Sequence, residues 1–129
     1  MIDHISIGVN DIKKSRLFYD RVLEALGYAR VRDVGDNASG YGASGEDYFW
    51  IDVPLNGKPV TAGQGTHIAF SAPTRWAVDE FHARALAMGG VCQGKPGLRP
   101  EYGEHYYAAF VLDLDGHKIE AVICLPETN

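Results

Sequence analysis

The chain has 129 residues, of which 46% are hydrophobic and 22% charged, a balance that places it among single globular domains with a real core. A net charge of −5 and a pI near 5.4 exclude a nucleic-acid partner, since the one basic cluster, Lys13-Lys14-Ser15-Arg16, reads as the wet face of a helix. No apolar run approaches the ~18 residues of a membrane span, no signal-peptide pattern precedes the first strand, and Cys92 and Cys124 are too few for a disulfide framework, so a cytoplasmic protein with reduced thiols is expected.

Ile5, Ile7 and Val9 alternate with His4, Ser6 and Gly8, the period of a strand. Asn10 or Asp11 then caps a helix carrying Ile12, Phe18, Val22, Leu23 and Leu26, which Gly27 stops. Three short strands follow over 28–34, 39–43 and 48–53, separated by Gly35-Asp36-Asn37 and Gly45-Glu46-Asp47. A Pro/Gly-rich stretch leads to a strand over 66–72 and to a helix capped by Thr74, with Val78, Phe81, Ala85 and Met88 on one face. His82 on that helix reads as a surface residue. A short strand at 91–93, an irregular loop from Lys95 to Gly103, and strands over 106–112 and 118–125 joined by the turn Asp113-Leu114-Asp115-Gly116 complete the chain.

The second half repeats the first. Asp3-His4-Ile5-Ser6-Ile7 returns 63 positions later as Thr66-His67-Ile68-Ala69-Phe70, and the same ungapped shift lays Phe18 on Phe81, Arg21 on Arg84, Leu23 on Leu86 and Gly27 on Gly90. The chain is thus one domain of two modules, the first spanning about 1–54 and the second about 66–129, with a linker at 55–65. Each runs strand, helix, three strands, an α+β plan of two βαβββ units that form a curved, mostly antiparallel sheet with the helices outside. Neither half covers its own sheet, so the modules pair within the chain or by exchange between two chains, and a homodimer is expected.

The repeat carries a histidine to the same place twice. Strand alternation puts His4 and His67 on faces shared with small residues, Ser6 and Gly8 in one copy and Ala69 and Ser71 in the other. In the last strand, Ile119, Ala121 and Ile123 form the packing face and Glu120 lies on the opposite one, where an ionised carboxylate is costly unless paired or metal-bound. Two imidazoles and a carboxylate suit a divalent first-row ion, with zinc, nickel, manganese and iron as candidates. Aromatic residues on the short strands and the long loop, Trp50, Tyr106 and Tyr107 among them, fit the wall of a small-molecule pocket. Lys95, Arg99, Tyr102 and His105 are placed to close over an anionic ligand.

The paired module starts and the segment Asp113-Leu114-Asp115-Gly116-His117-Lys118-Ile119-Glu120 resemble the vicinal oxygen chelate superfamily, which includes glyoxalase I, extradiol dioxygenases and the fosfomycin and bleomycin resistance proteins. The resemblance covers essentially the whole chain. It implies metal ligation by His4, His67 and Glu120, Glu120 as a proton-transfer group, and a glyoxalase-like lyase or isomerase acting on a small oxygen-rich substrate. A non-catalytic drug-binding protein is the alternative. A ring-cleaving dioxygenase is a further one, for which His105 stands where the substrate-contacting histidine would be but Phe110 replaces the acid tyrosine. In glyoxalase I-like members the last strand of the first module supplies a fourth ligand. Here that place falls to Trp50, which needs no extra residue in the turn, or to Asp52.

Overall fold

A computed structural model describes residues 1–127. Strand β1 (Ile5–Gly8) leads into helix α1 (Ile12–Glu24) and strands β2 (Ala29–Val34), β3 (Ala38–Gly42) and β4 (Phe49–Asp52). The second module follows with β5 (His67–Ser71), α2 (Arg75–Ala87), β6 (Val91–Leu98), β7 (Tyr107–Leu112) and β8 (Lys118–Ile123). Each module folds into a four-stranded sheet of its own, in the orders β1-β4-β3-β2 and β5-β8-β7-β6. In both, the first and last strands run parallel and the remaining neighbours antiparallel, so the two halves share one topology. The two sheets remain open rather than closing into a barrel, and among the described residues they exchange no ladder hydrogen bonds.

The helices follow from their caps and apolar stripes. Asp11 caps α1 by accepting from the Lys14 amide at 3.1 Å, and Thr74 caps α2 by accepting from the Ala77 amide at 3.0 Å. Phe18, Tyr19, Val22 and Leu23 of α1, and Val78, Phe81 and Ala85 of α2, are buried at helical spacing. Gly27, at φ +88°, supplies the left-handed residue that ends the first helix. The two helices pack against each other as well as on their sheets, so one continuous core holds Val9, Phe18 and Ile51 of the first module together with Phe81, Val111 and Ile119 of the second. Polar contacts reinforce the join: Tyr19 Oη donates to Asp113 Oδ2 at 2.6 Å, Tyr28 Oη to the Ser71 carbonyl at 2.8 Å, and Arg84 to the Arg21 carbonyl at 3.0 Å. Burial raises the Asp113 carboxyl above its usual range, and the bond from Tyr19 opposes that shift.

Two expectations are corrected. Strand β6 does not stop at Gln93 but continues to Leu98 through Gly94, Pro96 and Gly97. As an edge strand it accommodates a proline, and two shifts of register, between Cys92 and Gly94 and between Gly94 and Gly97, absorb the irregularity. His82 is not a surface residue. Four residues after Val78 and three before Ala85, it lies on the buried face of α2, with Nε2 3.1 Å from Cys92 Sγ. Its pKa is depressed by burial and then by the charge of Lys95. Among the described residues no helix is long and apolar enough to cross a membrane.

Because the helices meet in the middle, the sheet faces that carry the histidines turn outward. β1 and β5 are edge strands, and His4, Ser6, His67, Ala69 and Ser71 are all exposed. The first module's open face is therefore available to another surface, and so is the second's.

Candidate functional site

Parallel pairing of β5 with β8 sets Ala69 beside Glu120 and His67 beside Lys118. Antiparallel pairing of β7 with β8 sets Phe110 beside Glu120 from the other side. Alternation then places His67, Phe110, Lys118 and Glu120 on one face, while Ile119 and Ala121 pack beneath α2. These residues, with Gln93, Gly94, Arg99, Glu101, Tyr102 and Tyr106, line a cavity of about 440 Å³.

Glu120 is its centre. The carboxylate is 2% exposed, yet no arginine or lysine pairs with it among the described residues. Oε1 lies 3.1 Å from His67 Nε2, and Oε2 accepts a 2.5 Å hydrogen bond from Tyr106 Oη. An anion so deeply placed needs compensation, and hydrogen bonds from one half-exposed imidazole and one phenol are all that the described residues offer it. The His67 ring remains about half open to solvent and lies edge-on to Phe110. Burial, and then the Glu120 carboxylate, hold the Tyr106 hydroxyl well above the ordinary tyrosine range. Its proton therefore stays on Oη, aimed at Glu120.

The two adjacent tyrosines part company. Tyr106 has the parity of Ala108 and Phe110 and faces the cavity, whereas Tyr107 shares the helix-side face and donates to Asp79 Oδ1 on α2 at 2.6 Å. The Tyr107 hydroxyl is pushed up to about 12 by burial and by that bond, with the Arg75 guanidinium over its ring. Arg99 lines the cavity. His105 does not; its nearest charged neighbour is Glu104 at 3.8 Å.

The first module presents the matching face. His4 is exposed, with Nδ1 2.7 Å from Asp3 Oδ1, which leaves Nε2 free as a donor atom for a ligand. Ser6 pairs with Trp50 on β4, as Ala69 pairs with Glu120 on β8. Ser6 and Ala69 are related by the 63-residue shift, so Trp50 stands in the first module where Glu120 stands in the second. Asp52 lies two pairs further along, beside Gly8. The Trp50 indole lies across Gly40, where a Cβ would come within 2.7 Å of the ring, and its Nε1 donates to Asp47 Oδ1 at 3.0 Å. Among the described residues Asp52 Oδ1 is buried without a hydrogen-bond partner, and burial raises its carboxyl pKa against the opposing charge of His4. Neither Trp50 nor His4 reaches the His67–Glu120 cavity of the same chain. Among the described residues, no three His, Cys, Asp or Glu side chains sit close enough to hold a metal.

The fold and the doubled module meet in one family. A sequence profile of the Glyoxalase/Bleomycin resistance protein/Dioxygenase superfamily matches residues 1–121. The chain belongs to this superfamily. It is similar to a glyoxalase/bleomycin resistance protein from Albidiferax ferrireducens T118, at 35% identity over 93% of this chain and 95% of that one, with a TM-score of 0.82. At 23% identity, a glyoxalase-related enzyme from Fulvimarina pelagi shares the fold over 95% of this chain and 86% of its own, with a TM-score of 0.72. The fosfomycin resistance protein FosX from Listeria monocytogenes does so at 19% identity, over 95% and 91%, with a TM-score of 0.67. No curated protein matches the chain in sequence. Superfamily membership accounts for the repeat and the topology; the chemistry rests on the residues.

Lys118 and Gln93 carry no motif that singles them out in the sequence, although one signal was available. Lys118 precedes Glu120 by two positions in the same strand and so must share its face.

Replacing Tyr106 by Phe tests the carboxylate's support. Where a metal is held by Glu120, a group that orients this ligand is worth about 10–100-fold in affinity, and a drop of that size in zinc affinity, measured by calorimetry, is the expected result for Tyr106→Phe. Because the phenol keeps its proton, the wild-type advantage over Tyr106→Phe should be fully present below about pH 10 and be lost only as pH climbs through the raised pKa.

Proposed function

We propose that the chain is a metal-dependent lyase or isomerase for a small, oxygen-rich substrate, with His67 and Glu120 as two metal ligands and His4 of a second copy as the third. The observation that carries this reading is the buried Glu120 carboxylate set 3.1 Å from a half-exposed imidazole on an open sheet face. The two donor atoms, His67 Nε2 and Glu120 Oε1, lie next to each other, and a divalent cation held between them would supply the positive charge that the carboxylate lacks. Within one chain His4 projects from the edge of the other sheet. Since both histidine-bearing strands are exposed edges, a two-fold dimer that brings the first module of one copy against the second module of its partner completes the set in duplicate.

The divalent ion would act as a Lewis acid on the substrate's vicinal oxygens. The chain's own residues do the rest. Glu120 would both help to hold the ion and take up and return the proton, one role at a time through Oε1, because Tyr106 keeps Oε2 hydrogen-bonded; Phe110 walls the cavity. Trp50 of the second copy adds an aromatic wall in the place where a fourth ligand would stand.

The presence of Trp50 rather than a carboxylate at that place also favours a second reading, a binding protein that holds an aromatic ligand without turnover. Turnover of a 2-oxoaldehyde–thiol adduct or an epoxide decides between them; tight binding with no product supports the second.

Mixing two inactive variants tests the shared site. His4→Ala and His67→Ala should each lose divalent-ion binding. If the third ligand comes from the partner, random exchange between the two variants restores about one intact site in four, seen as recovered zinc binding after mixing. If all ligands came from one chain, mixing would restore nothing.

A further inference from the structure

The cavity beside Glu120 holds two cations, Arg99 and Lys118, that no carboxylate pairs with among the described residues. Two cations share the Phe110 ring: Lys118 Nζ lies 5.0 Å from its centroid and Arg99 Cζ 5.5 Å. The guanidinium is fixed rather than free to swing. Nη1 donates to the Gly97 carbonyl at 2.8 Å and Nη2 to the Lys95 carbonyl at 2.6 Å. The space it occupies exists because two residues of β6 lack side chains. A Cβ at Gly94 would stand 3.1 Å from Nη2, and one at Gly97 3.3 Å from Nη1. Carbonyl partners hold the group in position but leave its charge uncompensated. Among the described residues, no carboxylate lies within ion-pair distance of Arg99 or Lys118. Of the two carboxylates lining the cavity, Glu120 is bonded to His67 and Tyr106, and Glu101 sits exposed at the rim.

Two like charges that approach one ring, the guanidinium held in place and the ammonium on a flexible stem, repel each other, and an anion within reach of both relieves that repulsion. We propose that Lys118 and Arg99 form an anion subsite, and that the ligand is a small acid whose anionic group, carboxylate or phosphate-like, lies between them above Phe110. This deepens the metal-site reading and rests on it for the rest of the ligand: the acid's neighbouring oxygens then reach toward His67 and Glu120 on the same face. Lys118 determines specificity, because it stands on β8 two residues before Glu120 and so fixes the distance between the anionic group and the reacting oxygens.

The test uses the full chain, freed of metal and chelator, titrated calorimetrically at low ionic strength with malonate in one arm and inorganic phosphate in the other. Removing one charge-assisted hydrogen bond from such a site weakens binding by about tenfold or more, and that weakening is expected for both Lys118→Gln and Arg99→Gln with the preferred anion. Lys13→Gln removes the same charge from the exposed face of α1 and should leave the affinity within about twofold, since a distant surface charge is screened. The stronger arm tells carboxylate from phosphate. Thermal melting checks folding, and should Lys118→Gln fail to fold, Arg99→Gln decides. Zinc titration of the same proteins separates the two readings. No anion binding, or equal weakening by Lys13→Gln, overturns the subsite even where zinc binds normally. Anion binding without zinc binding upholds the subsite and overturns the metal site alone.

Discussion

Glu120→Gln should cost the protein its divalent-ion affinity by at least about 100-fold, more than the 10–100-fold typical of a group that merely supports a ligand. The substitution preserves shape but removes the negative charge, and it replaces an acceptor oxygen with an amide donor facing either His67 or Tyr106. Folding should improve or stay level, since a buried carboxylate with incomplete compensation becomes neutral. Calorimetric titration with zinc, nickel, manganese and ferrous iron, beside thermal melting, reads both effects. A variant that binds as tightly as wild type would remove Glu120 from the metal shell, and one that melts far lower would make it a structural group instead.

The largest stability effect is expected at Phe81. It is fully buried in the core that both modules share, and Phe18, its counterpart under the 63-residue shift, is equally buried. Truncation to Ala at either position should destabilise by about 3–5 kcal/mol, because the packed helices cannot collapse into the space. That is a fall in Tm of more than about 10 °C for a chain of this size. The informative measurement is the shape of the calorimetric transition. A single transition that moves as a whole is expected, since the core crosses the boundary between the halves. Two transitions, with only the mutated half shifted, would show that the modules melt independently and that the helix–helix contact contributes little.

Much of this fold was legible because two periodicities overlap in the sequence. The 63-residue repeat carries the two-module plan, and alternation within β5 and β8 places His67 and Glu120 on one face, as their 3.1 Å approach shows. The same alternation, carried one strand further, separates Tyr106 from Tyr107, since Ala109 and Val111 mark the packing face of β7. Other features lay beyond local pattern. The extension of β6 past Pro96 depends on its place at the sheet edge, and although helical spacing puts His82 on the buried face of α2, its polar partner there, Cys92, comes from a different element. The relative placement of the modules depends on the helix–helix contact, which no spacing encodes. Symmetry alone would set His4 beside His67, whereas the chain folds with the two facing outward from separate sheets.

The unlike partners of Ser6 and Ala69 carry a last consequence. Two strands that duplication made equivalent now offer an indole on one side and a carboxylate on the other. In the two-fold dimer proposed above, a molecule lying across the shared site would meet the indole of one copy at one end and the carboxylate of the other copy at the other. Such a site would accept a ligand with one apolar and one charged end in a single direction, a polarity that comes from one residue differing between the halves rather than from any loop or insertion.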